Sequence, residues 1–180
     1  MKRVEIEKAL NEDRNWLIDL YGAMSEEDLN RGLTASEHDP ASMWSALDHF
    51  AHLLGIERVF NQLIRSHLGG NQNPMGGLVT DESGERRPLE EIMKGVHLRN
   101  EEWVESQRGK SLSEVFATAQ RVRGETLALL SELSDDQLGE KLPGAPWADG
   151  TIGGVLGVNA HHSRMHHEWF KGPLETAQPG

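Results

Sequence analysis

Four of the nine histidines lie in one short stretch, residues 151–171, TIGGVLGVNAHHSRMHHEWFK. The stretch follows a Gly-rich turn and has no proline before Pro173, so its spacing predicts one helix. Of the four, only His162 and His166 are spaced i, i+4. At about 100° per residue they lie about 40° apart on a helix. Val155, Val158, Asn159 and Trp169 fall on the same side, while His161, Arg164 and Glu168 fall opposite and His167 sits between. Two imidazoles one turn apart can both reach one metal ion. The same pair on an apolar face also suits two core histidines, hydrogen-bonded and inert, and the spacing leaves both readings open. The chain has no cysteine, which excludes disulfides, thiolate nucleophiles and thiolate ligands, so any metal is held by N and O atoms.

Two other metal motifs are incomplete. His167-Glu168 begins like a zincin helix, but Lys171 stands where the second histidine is needed. A di-iron carboxylate bundle needs Glu-x-x-His pairs, and no histidine here has a glutamate three residues before it.

The elements that must position these residues read as helices. Residues 3–24 carry Ile6, Leu10, Leu17, Leu20, Tyr21 and Met24 at helical spacing. A polar segment, 25–40, contains a short capping pattern at Ser25. A second helix is predicted over 42–68, apolar most of the way round and therefore packed on more than one side. It carries His49 and His52, and periodicity does not decide whether His52 points inward. Residues 69–87 hold five glycines and a proline, a long connection that reads either as a lid or as slack. A third helix runs from Pro88 to about 108, with His97 beside its stripe and no second histidine to accompany it. A fourth opens on the capping box Ser111-Leu-Ser-Glu114 and shows a clean stripe from Leu112 to Leu133. Residues 139–150 read as a loop, and the Gly172 tail as disordered. Without strand signals of any length, the fold class is all-α, a helical bundle in one domain over 1–171 with a tail at 172–180.

The formal net charge of −11 argues against nucleic acid or an anionic membrane as the main partner. No apolar run approaches the ~18 residues of a membrane span, and the first ten residues lack a leader-like apolar core, so a soluble, cytoplasmic protein is expected.

Taken together, Trp44-Ser-Ala-Leu-Asp-His-Phe-Ala-His52-Leu, a distant Asp149-Gly-Thr-Ile, and His162-Ser-Arg-Met-His166 resemble the DinB/YfiT-like superfamily. The stretch 111–138 and the run from Met24 to Leu29 leading into Trp44 share that likeness, which covers nearly the whole chain. The resemblance implies an up-down four-helix bundle with short extra helical turns. It implies a metal held by three histidines, one in a His-Leu context eight residues after a tryptophan and two from an HxxxH on the last helix. Those positions are His52, His162 and His166; His49, His161 and His167 are not implied ligands. The family includes thiol-dependent S-transferases, a thiol-dependent maleylpyruvate isomerase and proposed metal hydrolases. It often dimerises, and the apolar spread of the second helix agrees with a homodimer.

Three imidazoles leave a metal with an open position. The expected function is therefore a metal-dependent transferase or hydrolase acting on a small molecule. Zinc is the default ion, with nickel or iron the alternatives at a nitrogen-rich site. Its nucleophile is water or a low-molecular-weight thiol supplied as a cosubstrate. The competing reading is a non-catalytic dimeric module with a structural or sensory metal. Asp48, one turn before His52, and Asn159, one turn before His162, are candidates to line the pocket or support the ligands. The other reading for both is an ordinary polar position on a helix exterior.

Overall fold

The computed structural model describes residues 2–177 and is organised about α3 (Ala46–Leu68). Ser45 sets where this helix starts. Its Oγ accepts from Asp48 N at 3.1 Å, while Asp48 Oδ2 accepts from Ser45 N at 2.9 Å. That reciprocal pair satisfies donors the first turn would leave open. Phe50, Ala51, Leu53, Leu54, Ile56, Phe60 and Ile64 are all buried, so α3 has packed neighbours on several sides. Those neighbours are α4 (Leu89–Gln107), α5 (Leu112–Glu132), α7 (Ile152–Val158) and α8 (His162–Ala177). α1 (Arg3–Gly22) packs on α5 and α7. Short helices α2 (Glu26–Asn30) and α6 (Asp135–Gly139) open on Ser25 and Ser134 caps. The expected all-α bundle is what the chain forms.

The core has three parts. Ile6, Leu10, Ile64, Leu129, Leu133 and Ile152 belong to the largest. Leu17, Tyr21, Phe50, Leu54, Val115 and Phe170 form a second, in which Tyr21 stacks on Phe50 with ring centroids 4.4 Å apart. Met75, Val79, Ile92 and Val96 make a third beneath the 69–87 connection. That connection is therefore packed against α4 by its two buried apolar side chains, through a single 3₁₀ turn at Gly76–Leu78, and is not slack.

Four details depart from the sequence expectation. First, the polar segment before α3 contains two short antiparallel strands, β1 (Gly32–Ala35) and β2 (Met43–Ser45), with Thr34 opposite Trp44. They are too short and irregular for alternation to register. Buried Glu101 of α4 fastens them, accepting from Ser36 Oγ, from Ser42 Oγ at 2.6 Å and from Trp44 Nε1 at 2.9 Å. Second, α3 starts at Ala46, four residues later than expected, because the chain is still extended through Ser45.

Third, residues 151–171 are two helices. Between α7 and α8 the backbone tightens: Asn159, Ala160 and His161 donate to Leu156, Gly157 and Val158, all i→i−3. Gly153, Gly154 and Gly157 weaken the helix here. Buried Asn159 and Ala160 and the bond from Ser163 Oγ to Asp13 Oδ1 draw the turn inward. Fourth, α8 runs past Gly172 and through Pro173 to Ala177, where a disordered tail was expected, because Leu174 packs on the second core cluster one turn after Phe170. Residues 178–180 of that expected tail lie outside the described residues.

Candidate metal centre

His52 from α3 and His162 and His166 from α8 converge. One ring nitrogen from each lies within 4.8 Å of the others. His162 and His166 present Nε2 atoms 3.0 Å apart. Two nitrogens on a tetrahedral ion with bonds of about 2.0–2.1 Å would be roughly 3.3 Å apart, so this spacing suits a shared ion. Nδ1 of His52 is buried without a hydrogen-bond partner. Buried polar atoms are seldom left so, and a ligand or water is what such atoms accommodate. The donors fit a divalent metal: three nitrogens, no sulfur, and a remaining side open to a cavity.

Burial explains why the imidazoles are available as ligands. It lowers His49 and His162 from the usual value to about 4. Burial also pushes His52 and His166 far below it, helped by the mutual repulsion of the charged rings. All four are thus neutral near pH 7, with a lone pair on each ring.

Several side chains hold this arrangement. Trp44, whose indole N–H is fixed by Glu101, packs against His52 and His49 with centroids 5.2 and 5.4 Å away. This contact gives the tryptophan eight residues before His52 a physical role. His49 lies between Thr34 and His166: its Nε2 is 2.7 Å from Thr34 Oγ1 and its Nδ1 is 2.8 Å from His166 Nδ1. The sequence reading kept His49 out of the ligand set, as the geometry does, but missed its contact with a ligand. The i, i+3 spacing of His49 and His52 was the signal, since it places both on one side of α3.

Asp48 is not turned to His52. Its carboxylate caps α3 and meets Arg108, whose Nε is 3.3 Å from Oδ1. The first turn of a helix draws a carboxylate to its free N–H groups, which is the competing role the spacing did not reveal. Asn159 is buried and shares with His162 an inner cavity of about 160 Å³, where its Nδ2 has no partner. His161 is exposed, and His167 packs between Trp16 and Phe170.

The inner cavity also contacts a buried ionic network. Arg123 donates to Glu57 through Nε (2.7 Å) and Nη2 (3.1 Å), and Nη2 reaches Asp13 Oδ2 at 3.3 Å. Thr126 Oγ1 donates to Glu57 at 2.6 Å, and Asn61 Nδ2 donates to Thr126 at 2.8 Å. Burial pushes the Asp13 carboxyl up, against the opposing pull of Ser163 and Arg123. Through Ser163 the network holds the residue next to His162.

On their other side, all three histidines line a cavity of about 700 Å³ open to solvent. Ile56 and Phe60 of α3, Met93 and Val96 of α4, and Trp147 of the 139–150 loop form walls. That loop is tied down by Asp149, whose Oδ1 accepts from Thr151 N at 2.9 Å and Oγ1 at 2.7 Å ahead of α7. Ala148, beside it, has the uncommon positive φ of 48°.

A helical bundle that brings three imidazoles to one open cavity has side chains placed as bundle folds place those of ligand and metal sites. The DinB superfamily model matches residues 37–170, and the chain belongs to that superfamily. Comparison with curated proteins gave no match, and neither did comparison with solved structures. Among the described residues, no helix is long and apolar enough to cross a membrane.

Proposed function

We propose that this DinB-superfamily chain binds a divalent metal through His52, His162 and His166. It would use the ion as a transferase or hydrolase on a small molecule held in the 700 Å³ cavity. The observation that carries the reading is the position of the histidines. They meet at the wall of an open cavity, and among the described residues no further His, Cys, Asp or Glu joins the group. A site that keeps one side open suits catalysis better than a closed structural site. Zinc is the first choice of ion.

Such an ion would supply two things when bound: a lowered pKa for a water or thiol at its open position, and polarisation of an electrophile. The chain's own residues do the rest. His49 holds His166 by its second nitrogen. Trp44 packs against His52. The apolar walls exclude water from around the substrate. With no cysteine, a thiol nucleophile must arrive as a cosubstrate.

Cobalt(II) in place of zinc tests the proposal. Protein loaded with one cobalt per chain should show the visible bands of a low-coordinate nitrogen site, and those bands should change when a small thiol or a substrate-like carbonyl is added. Bands that no added molecule alters would identify a closed site and overturn the catalytic reading. Cobalt binding that survives His166→Ala would overturn the ligand set.

A further inference from the structure

The cavity over the histidines has apolar walls and an acidic rim. Phe60, Met93, Val96, Trp147 and Trp169 give it apolar, largely aromatic walls. Its polar lining includes two carboxylates, Glu37 and Asp149, and among the described residues that line it there is no lysine or arginine. Nearby guanidinium groups are committed elsewhere: Arg123 to Glu57 and Asp13, Arg108 to Asp48, and Arg164 over the Trp16 ring at 3.6 Å. Lys141 lies outside the lining, where its ammonium donates to the Asp149 carbonyl oxygen and its charge also favours the ionised Asp149 carboxyl. Thr151 holds the Asp149 carboxyl below its usual value, so the group is anionic at neutral pH. Glu37 is mostly exposed, with an oxygen 3.7 Å from His97 Nδ1.

Away from an ion on the histidines, whose own charge would attract it, an anion entering here would shed water against apolar walls, meet two carboxylates and find no lysine or arginine among the described lining residues. The formal net charge of −11 adds a long-range penalty. A flat apolar group meets none of this, and an ammonium group gains from the rim carboxylates and the indole faces. We propose that the cavity takes an apolar, aromatic-sized substrate without an anionic group, and that a protonated amine at the substrate's outward end strengthens binding. This rests on the proposed function only for what happens to the substrate once bound.

Three naphthalenes of like shape test it by calorimetry at pH 8 and low salt: 1-naphthylmethylamine, 1-naphthalenemethanol and naphthalene-1-sulfonate. Each is titrated into metal-free full-length protein, which gives the charge gap, and into zinc-loaded protein for comparison, since a bound ion would itself attract the sulfonate or coordinate the amine. The amine should bind at least about tenfold more tightly than the sulfonate, with the alcohol between them. In the double variant Glu37→Gln/Asp149→Asn the gap should shrink to about threefold or less; asparagine keeps the side-chain oxygen that accepts from Thr151, and a thermal melt checks folding. A sulfonate that binds as tightly as the amine, a gap unchanged in the double variant, or no binding of amine and alcohol at about 1 mM would overturn the proposal. Zinc content of the same samples is read separately. A protein that takes no zinc but keeps the gap loses the metal reading alone; one that takes zinc but prefers the sulfonate when metal-free loses the charge selectivity alone.

Discussion

His49 Nδ1 and His166 Nδ1 lie 2.8 Å apart, both buried, one on α3 and the other on α8. Two neutral imidazoles can make this contact only if one Nδ1 carries the proton and the other does not. A metal on His166 Nε2 would fix the choice. His166 must then be protonated at Nδ1 and donate to His49, and His49 must carry its own proton on Nε2, facing Thr34 Oγ1 at 2.7 Å. With a metal bound, the chain Thr34–His49–His166 would thus set the tautomer of His166 from two residues away, as outer partners of metal-bound histidines generally do.

His49→Phe keeps a ring against Trp44 and Phe170 but removes both nitrogens. It should leave all three ligands in place and weaken zinc binding about 10–100-fold. Competition with a coloured chelator measures this. Unchanged affinity would mean the His49 contact does not tune the ligand.

The buried imidazoles also predict acid lability. His49 and His162 have folded values near 4 against 6.5 for the free side chain, so below pH 6.5 the unfolded chain takes up protons that the folded chain refuses. Their contribution is complete above 6.5 and is lost as pH falls toward 4, by up to about 1.4 kcal/mol per pH unit for each group. Urea midpoints of metal-free protein should fall across that window, and less steeply for His49→Phe. Equal slopes for the two proteins would contradict the assignment.

Arg123 is held by two buried carboxylates, Glu57 and Asp13. Arg123→Leu leaves both without their cation and should cost about 3–5 kcal/mol in urea unfolding. Since Asp13 also grips Ser163, beside His162, the variant should bind zinc more weakly even at temperatures where it remains folded. A loss under 1 kcal/mol would mean the network is solvated rather than buried.

Gly55 faces the Trp103 indole, and a Cβ there would overlap the ring. The indole N–H donates to Ala51 O at 2.7 Å, so the ring is not free to retreat. Gly55→Ala should destabilise the protein by about 1–3 kcal/mol, despite alanine's better helix propensity. A melt at or above the wild-type temperature would contradict this packing of α3 on α4.

How much of this was legible in the sequence depended on how local the cause was. The helix starts at Ser25 and Ser111 rest on caps written in nearby residues, and those starts hold. The His162–His166 pair is a one-turn relationship and survives intact. The turn between α7 and α8 does not follow from spacing, because burial of Asn159 and the bond from Ser163 to Asp13 150 residues away help impose it. His52 needed the family likeness to be placed, since an evenly apolar helix has no single inward face. Glu57 stands next to Arg58, and Arg123 stands between Arg121 and Glu125, so nothing local marks either as buried, and only the tertiary structure shows that they meet.

The central claim is tested most directly by elemental analysis of untagged protein in four forms: wild type, His52→Ala, His162→Ala and His161→Ala. The account predicts about one divalent ion per chain in wild type and in His161→Ala, whose side chain is exposed and outside the group, and none in His52→Ala or His162→Ala. Wild type that holds no metal after reconstitution, or equal metal in His162→Ala and His161→Ala, would contradict it.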